Sequence, residues 1–82
     1  MKLGTPLLKI LARNYAPDEM IHQHFGRYDL AFKTDDQGRP ILLYIGQADE
    51  HGIIKGEQFS RRLQIDKEGK VIKDHWDNKG KV

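Results

Sequence analysis

The chain has 82 residues, with 14 basic and 12 acidic side chains, a formal net charge of +2 at pH 7 and no cysteine. This length predicts a single small domain, residues 1–82, that buries only about 60% of the surface of its unfolded chain. The lack of cysteine excludes disulfides, thiolate metal sites and cysteine nucleophiles, and it favours a reducing cytoplasm. No stretch approaches the ~20 apolar residues of a membrane span, so no membrane association is expected.

The first segment predicts an amphipathic helix from Thr5 to about residue 16. Thr5 suits the N-cap, and Pro6 suits the first helical position, where its missing N–H costs nothing. Apolar side chains, including Leu7, Leu11 and others, then recur at helical spacing. Pro17 disfavours helical geometry in the residue before it, so the helix is expected to end there.

Residues 17–24, P-D-E-M-I-H-Q-H, fit two structures. Pro17, Asp18 and Glu19 would suit the opening turn of a second short helix stopped by Gly26, and this interpretation is preferred. The same residues also alternate as a strand would, with Met20 and every second residue after it on one side.

From Phe25 onward, four apolar stretches are separated by clusters rich in Asp and Gly, which are typical of tight reversals. Short separations between strands predict hairpins and hence an antiparallel sheet. The predicted strands cover 26–34, 40–48, 53–65 and 70–77, and residues 78–82 are expected to fray. The fold prediction is therefore α+β: an N-terminal helix, with or without the second short one, packed on a four-stranded antiparallel meander. The recurring D-x-x-G spacing is interpreted as turn chemistry, because the intervening strands do not match one another.

The third predicted strand raises the main question about function. In F-S-R-R-L-Q-I, Arg61 shares a face with Phe59 and Leu63, which should be buried. One interpretation is structural: the aliphatic stem lies on apolar surface and the guanidinium reaches water, or pairs with Glu57. The other places Arg61 in an anion-binding patch, since the guanidinium fork matches phosphate or carboxylate geometry.

Trp76, the only tryptophan, lies in D-H-W-D on the last predicted strand. It is expected either to close the end of the core or to serve as an exposed aromatic anchor. Aromatic residues beside arginines occur in protein interfaces and in single-strand nucleic-acid grooves. The candidate binding residues are Arg61, Arg62, Trp76, Lys55 and Tyr44.

Material for catalysis is sparse, and an enzyme is not expected. The weak metal candidates are two pairs that would each share a strand face, His22 with His24 and His75 with Asp77. No spacing motif links the two pairs, and no cofactor is predicted. The hydroxyl residues lack the strained turn that a serine nucleophile requires.

The sequence alone does not determine the function. The preferred hypothesis is a non-enzymatic protein-interaction module that uses an exposed face of its sheet, with another protein or a second copy as partner. The first alternative is a weak nucleic-acid or anion binder, which is less favoured because the basic residues of the C-terminal region are mixed with acidic ones. The second alternative is a metal-dependent hydrolase.

Overall fold

The computed structural model describes residues 2–81, which form one short helix and one five-stranded sheet. The elements are α1 (Thr5–Leu11), β1 (Met20–Phe25), β2 (Tyr28–Thr34), β3 (Pro40–Ala48), β4 (Ile54–Ile65) and β5 (Val71–Lys81). The prediction of an antiparallel sheet accompanied by an N-terminal helix is confirmed. The predictions of four strands and of a second helix are wrong. The fold is mainly β with a small helix.

The sheet is a meander in the order β1-β2-β3-β4-β5, and every neighbouring pair is antiparallel. Its register defines two faces, because successive side chains of a strand point to opposite sides. The helix face carries most of the core, and the other face is called the open face. The core residues are Leu7 and Leu11 of α1 with Leu30, Phe32, Leu43, Ile45 and Phe59 of the sheet.

The helix is shorter than predicted and its cap differs. Gly4, not Thr5, is the N-cap, with no side-chain capping hydrogen bond, and the helix ends at Leu11. The chain beyond it is held elsewhere: the Tyr15 N–H donates to the Gly38 carbonyl at 2.8 Å, and the Tyr15 hydroxyl donates to the Ile10 carbonyl at 2.7 Å. These bonds compete with further helical turns for the backbone groups of this segment.

Residues 20–25 form a strand because the segment before them is fixed by β2. Asp18 has φ 53°, a left-handed conformation that does not propagate a helix. The Thr34 hydroxyl is buried, donates to the Ala16 carbonyl at 2.7 Å and accepts from the Glu19 N–H at 2.9 Å. The Thr34 N–H also donates to the Glu19 carbonyl. These contacts place Met20 beside Lys33, where pairing of β1 with β2 begins.

Three hairpin turns share one construction, which confirms the interpretation of D-x-x-G as turn chemistry. Asp35, Asp49 and Asp66 each accept two backbone N–H groups on one carboxylate oxygen, and each backbone carbonyl accepts from the glycine three residues later. The fourth copy, beginning at Asp77, makes no reversal. There, in the region where fraying is predicted, the chain continues in β5 to Lys81 with an irregular register opposite Glu57 and Phe59, and Val82 lies outside the described residues.

Two glycines allow the β3–β4 hairpin to bend across the open face. Gly46 and Gly56 lie directly opposite each other, and a Cβ on Gly56 would lie 2.1 Å from the Ile45 carbonyl oxygen. Beyond this crossing, Gly52 and Ile54 of the hairpin line a cleft with Ala31 on β2. Ala31 and Ile54 are consequently buried on the face that the helix does not cover.

The other end of the sheet is a two-stranded arm. β3 pairs with β4 only as far as Ser60, whereas β5 pairs with β4 as far as Ile65. Residues 61–65 with 71–76 therefore extend past the rest of the sheet, and they are called the β4–β5 arm. The radius of gyration of 12.9 Å exceeds the ~11.7 Å expected for a compact chain of this length, as this extension requires.

Candidate functional site

Arg61 lies on the helix face at the root of the β4–β5 arm, and its side chain is only 9% exposed. Its Nε and Nη2 donate to the two carboxylate oxygens of Asp74, each at 2.7 Å. Its Nη1 donates to the carbonyls of Leu11, 3.2 Å away, and Pro40, 3.1 Å away. The guanidinium thus joins the end of the helix, the start of β3 and the last strand.

This geometry corrects the sequence-based prediction for Arg61 in two respects. The guanidinium is largely withdrawn from water, and its carboxylate partner is Asp74 on the neighbouring strand rather than Glu57 on its own. The bidentate pairing uses the planar fork of arginine, which lysine could not reproduce. Because every nitrogen of the guanidinium donates a hydrogen bond within the chain, Arg61 has an intramolecular structural role.

The contacts between Arg61 and Asp74 determine the ionisation state of the carboxylate. The hydrogen bonds from Arg61 hold the pKa of Asp74 below its ordinary value, against the opposing effect of partial burial. Asp74 remains 41% exposed, so the pair is buried on the arginine side and open to water on the carboxylate side. The carboxylate therefore stays ionised at neutral pH and compensates the buried cation.

Trp76 lies directly across the strands from Arg61, and its ring centroid is 5.6 Å from the guanidinium carbon. The ring is half-buried and packs against the core. A cation–π contact of this kind contributes about 0.5–1 kcal/mol when partly exposed. Of the two interpretations for Trp76, the geometry supports the one in which it closes the end of the core.

The remaining candidate binding residues do not form one surface with Arg61. Arg62 points to the open face, where its Nε donates to Asp77 at 2.8 Å. Tyr44 also lies on the open face, opposite Gln58. Lys55 is six residues from Arg61 along β4, a separation of about 20 Å at ~3.4 Å per residue. The structure therefore divides the predicted five residues between two faces and two ends of the sheet.

The candidate metal ligands lie at opposite edges of the sheet. His22 and His24 are on β1, and His75 and Asp77 are on β5, so three strands separate the pairs. Four inter-strand steps of about 4.8 Å put them roughly 19 Å apart. In residues 2–81 no three His, Asp or Glu side chains gather in a metal-binding geometry. His75 instead contacts Asp77 within β5 at 3.1 Å.

The open face carries an apolar patch that sequence reasoning did not find. It is called the open-face patch, and it comprises Met20, Ala31, Tyr44, Ile53 and Ile54, which line a cleft of about 220 Å³ together with His22 and Gly52. Met20 is 47% exposed and Ile53 is 58% exposed. The sequence pattern obscures this patch, because the residues before Met20 favour a short helix and because the bend at Gly46 and Gly56 brings distant strands together.

Comparison with protein-family models, with curated proteins and with solved structures found no match to this chain. Among the described residues, no helix has the length and apolar character needed to cross a bilayer.

Proposed function

We propose that this protein is a non-enzymatic protein-interaction module that acts through the open face of its sheet, with a second copy as its partner. The observation that carries the proposal is the asymmetry of the sheet. Its helix face packs against α1 through Leu7 and Leu11, whereas the open face presents the open-face patch to solvent. A sheet with an apolar face gains stability by packing against another layer, and a second identical sheet is the simplest such layer.

Size and charge support stacking of two copies. The molecule measures 44 × 24 × 21 Å, so a broad face offers more than the ~800 Å² per partner of a standard interface. Arg62 and Asp77 neutralise each other on the open face, which lowers the repulsion between two identical surfaces. An isologous contact across a two-fold axis would place Met20 and Ile53 of both copies in a shared apolar centre.

The two alternatives gain no support from the geometry. The anion-binding hypothesis combined Arg61 with other basic residues and Trp76, but four of the five N–H groups of the Arg61 guanidinium donate within the chain, and Arg62 pairs with Asp77. The hydrolase hypothesis required two ligand pairs that lie at opposite edges of the sheet. Neither alternative has an observation that favours it over an interaction module.

Sedimentation velocity across a concentration series tests the proposal. We expect reversible dimerisation at protein concentrations up to ~1 mM, where an association free energy of about 4 kcal/mol is detectable. Ile53→Asp should weaken the dimer at least about tenfold, since it puts a charge at the centre of the apolar patch. Circular dichroism would check that the variant keeps its fold.

Ile72→Asp is the matched control. Ile72 has the same exposure, 58%, but lies on the β4–β5 arm, so its substitution should leave the dimer unchanged. A protein that stays monomeric throughout the series would overturn the self-association proposal. An equal effect of the two substitutions would show that association does not use the open face.

A further inference from the structure

We infer that the outer edge of β1 is a zinc site shared between two copies of this chain, in which His22 and His24 of each copy bind one ion and the two β1 strands pair. In residues 2–81 no third side chain completes a metal-binding group with these histidines, so a second copy must supply the remaining ligands. The site does not depend on the function proposed above, because it needs no contact between the open-face patches of the two copies.

The two histidines lie exposed on the open face of β1, and a carboxylate orients one of them. The His24 Nδ1 lies 2.7 Å from Asp29 Oδ1, and the other oxygen of that carboxylate accepts from the Ala48 N–H at 2.8 Å. Asp29 is therefore held in place, and it keeps the proton of the neutral imidazole on Nδ1. The lone pair on Nε2 is then available on a side chain that is 86% exposed. Histidines that bind zinc are commonly oriented by a carboxylate in this way.

The outer edge of β1 presents backbone groups at the same two residues. The Thr34 N–H donates to the Glu19 carbonyl, so Glu19 turns its carbonyl toward β2. Because this direction alternates along an antiparallel strand, every second residue from Glu19 pairs with β2, and Met20, His22 and His24 turn their N–H and C=O groups outward. β1 is the first strand in the sheet order, so no other strand of residues 2–81 pairs with these groups.

The composition of β1 permits pairing with a second copy. Its sequence, M-I-H-Q-H-F, contains no Asp, Glu, Lys or Arg, whereas the other edge strand, β5, carries five such residues. Charged side chains commonly protect the edges of sheets against pairing, so β1 is the less protected edge of this sheet. Two identical β1 strands would meet without repulsion between like charges.

Antiparallel pairing around a two-fold axis at Gln23 brings the required side chains together. In that register His22 lies opposite the partner subunit's His24, and the four imidazoles border a rectangle of about 5.5 Å by 6.8 Å on the open face. Imidazoles in this arrangement can converge on one ion with Zn–N distances of about 2.0–2.1 Å, and a closed site of four protein ligands is structural. On the helix face, the half-buried Ile21 lies opposite the partner subunit's Phe25, which extends the apolar core across the new strand pair.

Sedimentation velocity of chelator-treated protein with added zinc chloride tests the inference, at a concentration where the metal-free chain is monomeric. We expect zinc to produce a dimer that saturates at about one ion per two chains, and magnesium chloride to have no effect, since Mg²⁺ prefers oxygen ligands. Zinc should also slow the amide hydrogen exchange of His22 and His24, because their N–H groups enter strand hydrogen bonds. The metal-free concentration series reports the open-face contact by itself, so a failure of either proposal is seen separately.

Three variants locate the site, and circular dichroism checks that each keeps its fold. His22→Gln with His24→Gln should abolish the zinc-dependent dimer, whereas His51→Gln with His75→Gln removes as many histidines elsewhere and should retain it. Gln23→Lys keeps every ligand but places like charges across the two-fold axis, so it should raise the concentration needed for half dimerisation about fivefold. Zinc bound by a monomer, a zinc-dependent dimer that survives loss of both β1 histidines, or unchanged amide exchange in β1 would overturn the inference, as would no response to zinc.

Discussion

Asp74→Asn should destabilise the protein strongly, because it leaves the Arg61 guanidinium buried without a counter-charge. Removing one partner of a fully buried ion pair costs about 3–5 kcal/mol. Here the arginine is 9% exposed but the aspartate is 41% exposed, so water can partly compensate and we expect about 2–3 kcal/mol. A chain of this length has a total stability of about 4–12 kcal/mol, so the loss should be evident.

A double-mutant cycle separates the interaction energy of Arg61 with Asp74 from the other contacts of the two residues. Arg61→Met alone removes both the ion pair and the hydrogen bonds to the Leu11 and Pro40 carbonyls. This substitution should lower the free energy of unfolding by about 1–3 kcal/mol. In the Asp74→Asn background the same substitution also removes an unpaired buried charge, so it should cost little or stabilise. The coupling energy should therefore be about 1.5–2.5 kcal/mol.

Urea denaturation provides the measurement, followed by the fluorescence of Trp76 and, as a probe independent of the substituted site, by far-UV circular dichroism. The exposed pair of Arg62 and Asp77 is the matched control, since its arginine is 64% exposed. The coupling energy of this exposed pair should be much smaller than that of Arg61 with Asp74, because solvent screens exposed charges. If both cycles gave the same coupling, Arg61 would not be a buried cation dependent on Asp74, and its assignment as a structural residue would be refuted.

Three further results are expected. Gly56→Ala should cost about 2–3 kcal/mol in urea denaturation, since its Cβ would lie 2.1 Å from a carbonyl oxygen of β3 and the hairpin must move. Thr34→Val keeps the shape but removes the hydroxyl that binds two backbone groups before β1, so it should cost about 2–3 kcal/mol and increase amide exchange in β1. Burial raises the pKa of Asp35, but the hydrogen bonds from Arg39 and Gln37 outweigh this effect, so the pKa lies below its ordinary value. The pKa of Asp74 is also lowered, through its hydrogen bonds from Arg61. The stabilisation that both carboxylates provide should be fully present above the ordinary pKa of ~3.9 and should be lost as the pH falls through their lowered pKa values. Asp35→Asn should make the loss of stability with falling pH less steep in an acid titration of unfolding. An unchanged titration would contradict the structural role of the Asp35 carboxylate.

Three strands and the start of the fourth could be predicted to within two residues because their turns are local. Asp and Gly three residues apart, as in Asp35 and Gly38, contain the whole hydrogen-bonding pattern of the reversal, so no distant contact is needed to recognise it. β1 could not be predicted in this way. Its residues fit helix and strand equally, and the decision rests on Thr34, which is 15 residues from Glu19 in sequence.

The site was less predictable than the fold for a related reason. The alternation of β4 identified Arg61 as a charge on a buried face, and that observation was correct. Its partner depends on the register of β4 against β5, which includes an irregularity between Gln64 and Ile65. A sequence gives the faces of each strand but not the offset between strands, so Asp74 was missed. The open-face patch was missed similarly, because it gathers residues from β1 to β4.

The position of Arg61 also explains why the proposed contact surface lies on the open face. A helix of seven residues is too short to cover the arm, so its root is closed instead by Arg61, Asp74 and Trp76. This network satisfies the polar groups of the helix face without a partner, and the structure has no buried side-chain nitrogen or oxygen without a hydrogen bond among the described residues. The open face has no helix packed on it, and Met20 and Ile53 remain exposed there. The surface that would gain most from a partner is therefore the face of the sheet that the intramolecular contacts leave uncovered.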